Sequence, residues 1–253
     1  MGCYCLRSVH KRAALLFPAN AFRYCTALES VTLPAELTRI DNYVFEGCTL
    51  LTAIKMEGNE SDSNILPATL TQIGSNAFKD TAITNITVPA AVTSLGSAAF
   101  QGCKQLTYIS LPAGLSYSSA NTFADTILDT IVLVKSVKHN AISAGTSATS
   151  NFTSRNCGNT PWAIASQQRA VKLVIGTGIN KIANYAFNGT NASNLTVFLE
   201  DGAEIATIGT YNTPYSEATK HIGLNTAWEY NAETGLPQVK AAAEETPEET
   251  PVA

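Results

Sequence analysis

The side chains best suited to nucleophilic or metal chemistry in this 253-residue sequence are His10, His139 and His221, with Cys3, Cys5, Cys25, Cys48, Cys103 and Cys157. An imidazole can relay a proton or ligate a metal, and a thiolate can attack or ligate. Their spacing favours neither use. The histidines fall in the N-terminal stretch, the middle and near the C-terminus, and Cys3 and Cys5 form a lone C-x-C with no second half, short of a four-ligand zinc pattern. Val171–Lys181 reads VKLVIGTGINK, a strand running into Gly176-x-Gly178 with Glu200 and Asp201 downstream. That imitates a dinucleotide-binding turn, but Lys181 stands where the third glycine belongs. Glu57–Asn64 holds three acids without the spacing or terminal glutamate of a calcium loop, and reads as a solvated polar loop. Neither a nucleophile elbow nor a Walker loop occurs. No catalytic residue, metal or cofactor is expected, and the chain does not read as an enzyme.

The same residues make better sense as parts of a repeat. Phe22, Phe45, Phe78, Phe100, Phe123 and Phe187 follow one another at intervals of 23, 33, 22, 23 and 64 residues. Five residues before each stands Phe17, Ile40, Ile73, Leu95, Ser118 or Ile182; three after stands Cys25, Cys48, Thr81, Cys103, Thr126 or Thr190. An alternating triplet recurs between them: Val31–Leu33, Ile54–Met56, Ile86–Val88, Ile109–Leu111, Ile131–Leu133, Leu173–Ile175 and Val197–Leu199. Apolar–polar–apolar alternation makes a short strand with one buried face, and Pro34, Pro89 and Pro112 end three of them because proline donates no amide hydrogen. Gly47, Asp80, Gly102, Asp125 and Gly189, two residues past each Phe, suit a tight turn or a helical turn. Gly176 falls at the proline position of this frame, so the repeat accounts for the whole of Val171–Lys181. A unit of about 23 residues cannot bury its apolar edge alone, so neighbours must stack as a solenoid. Cys25, Cys48 and Cys103 then lie in one ladder. Cys25 and Cys48 come within disulfide reach of each other and Cys103 does not, but small buried thiols filling a layer is the preferred reading for all three.

Stretches such as ITVPAAVTSLGSAAFQGCKQLTYISLP and IGTGINKIANYAFNGT resemble the BspA-like class of leucine-rich repeats, with its Ile-Gly-x-x-Ala-Phe-x-x-Cys and Leu-x-x-Ile-x-Ile-Pro elements, over Phe17 to about Ile208. The resemblance implies a leucine-rich-repeat solenoid: right-handed, a single domain, short parallel strands down one face and turns or short helical turns on the other. It also implies a secreted or cell-surface protein that serves adhesion or binding to a protein or glycan ligand, without catalysis. No secretory leader is visible, since Ala13–Phe17 is too short an apolar run.

Composition sets outer bounds. Apolar residues make up 45% and charged residues 14%, with a net charge of -4; an acidic balance disfavours nucleic acid as a partner. No apolar run approaches the length of a membrane span, so membrane insertion is not expected. A monomer is expected over an oligomer.

The domain reading is an N-terminal segment or partial cap at 1–16, the solenoid at 17–208, a C-terminal cap at 209–238 and an acidic, disordered tail at 239–253. Residues 135–170 form an irregular unit. The strand interval from Leu133 to Ile175 is about double the usual one, which predicts a degenerate extra turn with Phe152 as its strand residue and Trp162 and Ile164 at the following Phe position. The outward residue of each triplet should form one row: Thr32, Lys55, Thr87, Ser110, Val132, Val174 and Phe198. The last three make an apolar stripe. Val132, Val174 and Phe198, with Lys55, are therefore candidate partner-binding residues; coverage of the stripe by the 140–168 segment or the C-terminal aromatics is the preferred alternative. A spacer domain of a larger surface protein, and more remotely a hydrolase with its site in 135–170, are the other functional readings.

Overall fold

Alternation of period two in the triplets and a Phe-centred turn between them wind the chain into stacked coils. The computed structural model describes residues 8–10, 15–117, 120–135, 141–142, 160–183, 185–201, 203, 205–209, 212–224, 227–234 and 236–240. Three ladders run along the coil axis. The first is the main sheet, in two parts. Ser8–His10, Ser30–Leu33 and Ala53–Met56 are parallel; Asn85–Thr87, Tyr108–Pro112, Thr130–Val134, Val171–Ile175, Leu195–Leu199 and Thr219–Ile222 form a six-stranded parallel sheet. The second ladder pairs two-residue strands in register, Phe17↔Ile40↔Ile73↔Leu95 and Ile142↔Ile182↔Ile208. The third is the column of Phe-centred arcs.

That column explains why phenylalanine recurs. Phe45, Phe78, Phe100, Phe123 and Phe187 are fully buried, and the rings stack nearly parallel: Phe22–Phe45 at 5.5 Å, Phe45–Phe78 at 5.4 Å, Phe78–Phe100 at 5.4 Å and Phe100–Phe123 at 5.8 Å between centroids. Around each ring the backbone is zipped to the next coil, with the Phe22 amide donating to the Val44 carbonyl at 2.9 Å, Phe45 to Ala77 at 2.8 Å and Phe78 to Ala99 at 2.9 Å. Aiming these amides along the axis needs left-handed residues on both sides of the ring. Gly47 and Asp80, two positions after their rings, have φ of 71° and 57°; Tyr43 and Ala98, two before theirs, have 62° and 57°. Coils also touch closely at Gly96, where an added Cβ would sit 2.2 Å from the Ser75 nitrogen.

The position three past each ring carries the small buried side chains that the repeat suggested. The Cys48 thiol donates to the Phe22 carbonyl at 3.0 Å and the Cys103 thiol to the Phe78 carbonyl at 3.1 Å. Thr81 and Thr126 donate to the carbonyls of their own rings at 2.9 and 2.8 Å. Thr190 differs: its hydroxyl oxygen is buried without a partner among the described residues.

Several expectations are corrected. Thr130–Val134 pairs directly with Val171–Ile175, Ile131 opposite Leu173, so the coil between them adds no further strand to the main sheet; Phe152 lies outside the described residues. Within that coil Ile142 keeps its ladder place. Trp162, on the helical turn Pro161–Ser166, takes the Phe position and meets Phe187 at 5.5 Å. Leu95 is opposed by Tyr117, one residue ahead of the Ser118 that the spacing placed there; Ser118 is outside the described residues. Glu57–Asn64 is no loop: Asn59–Ser63 is a strand antiparallel to Ala53–Met56. Asn64 is 2% exposed and stitches the two parts of the main sheet. Its side chain accepts from the Ile54 amide at 2.8 Å and donates to the Thr52 carbonyl at 3.2 Å, while its own carbonyl accepts from the Thr87 amide at 2.8 Å.

The ladders also run past residues 17 and 208. Ser8–His10 pairs with Ser30–Thr32. Tyr215 packs against Phe187 with the rings tilted and their centroids 5.0 Å apart, and Thr219–Ile222 adds a last strand among the described residues. An antiparallel hairpin, Trp228–Tyr230 with Pro237–Val239, follows.

Candidate binding face

Register puts the outward residues of the main sheet in rows. In the first part Thr32 and Lys55 lie side by side, and the backbone of His10 is in register with Thr32. Thr87, Ser110, Val132, Val174, Phe198 and His221 lie side by side in the second. The structure thus brings Val132, Val174 and Phe198 together and leaves Lys55 in the other part of the sheet.

The apolar three are not available to a partner. Val132 is 7%, Val174 0% and Phe198 2% exposed, because Trp228, itself 0% exposed, lies over them with Tyr108, Val134, Leu224 and Ala227 around it. The Trp228 ring meets Phe198 edge-on at 5.3 Å and its Nε1 donates to the Leu199 carbonyl at 2.9 Å. Lys172 Nζ donates to the Pro237 carbonyl at 3.1 Å, and the Tyr230 hydroxyl to Glu200 Oε1 at 2.7 Å. Burial and the Glu200 charge push the Tyr108 phenol up, and burial with the Glu200 hydrogen bond and charge does the same to Tyr230. The C-terminal hairpin is therefore a strap across the C-terminal half of the face. The stripe as a partner site is corrected by its own chain's aromatics: three adjacent apolar side chains on a wet sheet face are costly unless covered.

On the polar half of the row Lys55 and Thr87 are half-buried, while Thr32 is 7% and Ser110 5% exposed. The ammonium of Lys55 and the hydroxyl of Thr87 are the groups of this row that can reach solvent, and no nucleophile converges with them among the described residues.

A second surface escaped the repeat reading. On the Phe arcs of the N-terminal coils, the Arg23 guanidinium lies 4.9 Å from the Tyr24 ring centroid and 4.7 Å from that of Tyr43. Its Nε donates to Glu46, a carboxylate 6% exposed that Lys79 also approaches at 3.9 Å. Tyr24 remains 49% exposed, and its ring lies against Gly47, where a Cβ would come within 2.4 Å of it. Tyrosine at position 24, where the other repeats carry Gly or Asp, was the available signal.

Among the described residues no three His, Cys, Asp or Glu side chains are placed to hold a metal ion. Nor is any helix long and apolar enough to cross a membrane. His139 and most of 135–160 lie outside the described residues.

Stacked coils that each add a strand to the main sheet, an in-register ladder of two-residue strands and a Phe column define a leucine-rich-repeat solenoid. The family model described as a BspA type leucine rich repeat region matches in six copies over residues 16–151, more than half the chain, and the chain belongs to that family. Similar solved structures include a leucine-rich repeat protein of T. pallidum, 18% identical over 87% of this chain and 75% of that one, with a TM-score of 0.45. The pneumococcal vaccine antigen PcpA is 14% identical over 84% and 73%, at 0.34. A leucine-rich cell surface protein of Faecalibacterium prausnitzii is 15% identical over 85% and 82%, at 0.27. No curated protein matches this chain.

Proposed function

We propose that the protein is a non-catalytic binding module, displayed outside the cell, that engages a protein or glycan through the open polar half of its main sheet around Lys55. The observation that carries this reading is the sealing of the apolar half by the Trp228 strap, which leaves the part of the sheet row where Lys55 and Thr87 are partly exposed as the surface on offer. Solenoids present extended faces of this kind to large partners. Membership of a repeat family whose units build a scaffold supports a role without chemistry, and the family resemblance supports the extracellular location. Tyr24, Tyr43 and Arg23 form a second ordered surface of residue types enriched where interfaces concentrate their energy.

The test is surface plasmon resonance of the purified chain against immobilised extracellular-matrix proteins, together with a glycan array. A hit weakened at least about tenfold by Lys55→Glu, and little by Tyr24→Ala, supports the sheet face. Loss with Tyr24→Ala alone moves the site to the arcs. A folded sample that binds nothing on either platform overturns the reading.

A further inference from the structure

Toward the C-terminus each of the three ladders changes character at its last member. In the main sheet the inward row runs Ile86, Ile109, Ile131, Leu173 and Val197, all fully buried. Its next member is Lys220, opposite Val197. The second ladder ends on Ile208, 48% exposed where its neighbour Ile182 is 0%. The ring column passes from Trp162 through Phe187 to Tyr215. The hairpin expected to cap this end lies over the sheet face instead. Lys220, Ile208 and Tyr215 border a cavity of about 460 Å³, walled also by Leu199, Ile205 and Ile222. Walls from all three ladders make it the unfilled core of the last coil among the described residues.

Two polar groups on these walls have hydrogen-bonding capacity left over. Tyr215 is 3% exposed, yet its hydroxyl makes no hydrogen bond among the described residues, and burial alone pushes the phenol up. A phenylalanine would continue the ring column equally well, so the hydroxyl is the departure. Lys220 Nζ donates to the Ser216 and Ala218 carbonyls, each at 3.0 Å, and lies 4.9 Å from the Tyr215 ring centroid. Those bonds hold the amine beside the phenol and leave one of its three N–H groups unused. A buried polar group without a partner is costly, and an apolar cavity of this size with a few convergent polar groups is the usual form of a small-molecule site. Charge narrows the ligand. Glu200 and Asp201 also border the cavity, and Glu200 accepts from the Tyr230 hydroxyl and the Thr177 amide, both neutral. Two carboxylates against one ammonium disfavour an anionic head group and admit an uncharged acceptor.

We propose that this cavity binds a small uncharged amphiphile, an aliphatic body ending in a carbonyl group. The body lies against Leu199, Ile205, Ile208 and Ile222, and the carbonyl oxygen accepts from the Tyr215 hydroxyl and the Lys220 ammonium. The site is separate from the sheet face around Lys55 and does not depend on it.

Ligand-observed saturation-transfer NMR on the full chain tests this, with octanamide as the probe and octanoate as its charged counterpart. Octanamide should bind with a Kd below about 1 mM, and more tightly than octanoate. Tyr215→Phe keeps the ring against Phe187 and removes only the hydroxyl; it should weaken octanamide roughly two- to tenfold. Lys220→Met keeps the apolar stem and should weaken it about tenfold or more, since a bond from a charged donor is the stronger. Circular dichroism confirms folding, and octanamide should shift the Tyr215 ring signals of the wild-type chain, which reports the site even if Lys220→Met does not fold. No saturation transfer at about 1 mM octanamide overturns the proposal. So does tighter binding of octanoate, or an affinity unchanged in Tyr215→Phe.

Discussion

Replacing Trp228 by alanine should detach the C-terminal hairpin while leaving the solenoid folded. The indole is wholly buried over Val174 and Phe198, and truncating such a side chain costs about 3–5 kcal/mol. The lost Nε1 bond is within that range and leaves no orphan, since the Leu199 carbonyl also accepts from the Gly223 amide at 3.2 Å. The remaining anchors named above, Lys172 to Pro237 and Tyr230 to Glu200, are solvent-accessible and contribute about 1 kcal/mol each. They are together smaller than the loss. A two-stranded hairpin of three residues a side is marginal by itself, so the cost appears as local opening, with hairpin exchange faster by roughly two to three and a half orders of magnitude. Native-state hydrogen exchange read by mass spectrometry should show protection lost over 228–239 and retained over Tyr108–Pro112. A hairpin that stays protected, or a uniform loss that includes Tyr108–Pro112, refutes the account of the strap.

Three other outcomes follow from particular side chains. Burial pushes the Cys103 thiol up to about 11, so its modification by a thiol reagent at pH 8 should proceed only at the rate of unfolding, and rapid labelling in the native state would contradict it. Thr190→Val removes a buried hydroxyl without a partner among the described residues, and should raise stability by about 1 kcal/mol in urea unfolding, where the parallel change at Thr81 should lower it. The raised phenols of Tyr230 and Tyr108 mean that above about pH 10 the unfolded state has lost protons that the native state keeps. Their contribution is whole below that pH and is lost as pH rises through the folded values; Tyr230→Phe should flatten the fall in Tm on the alkaline side.

The repeat was legible in the sequence because stacking imposes it chemically. Each ring must sit under the next, so Phe45, Phe78 and Phe100 cannot vary without loss of the column, and each triplet must keep two inward residues. The features that were not legible share a cause. The interval from Leu133 to Ile175 is near twice a normal coil, and arithmetic alone cannot tell an inserted coil from an enlarged one; only the pairing of Ile131 with Leu173 decides. Tyr117 displaces Ser118 because a two-residue strand can slip by one when neither residue is a large aliphatic. The left-handed residues before the rings are Tyr43, Ala98 and Tyr185 as well as asparagines, so no residue type announces them. Trp228 reaches Val174 across more than fifty residues, a contact that composition gives no means to place.

The Asn64 joint has a mechanical consequence. Across it the Phe45–Phe78 stack and the Ile40–Ile73 pairing are unbroken, while the main sheet is joined only through a short hairpin, Asn64 and a single parallel bridge from Ile65 to Thr87. A rod with two continuous struts and one spliced strut has a preferred bending direction. Loads that close the sheet side meet packed backbone, and loads that open it meet the splice first. Under tension along its axis the solenoid should therefore flex at this coil toward the phenylalanine side, swinging the Lys55 part of the face away from the strapped part as a single panel.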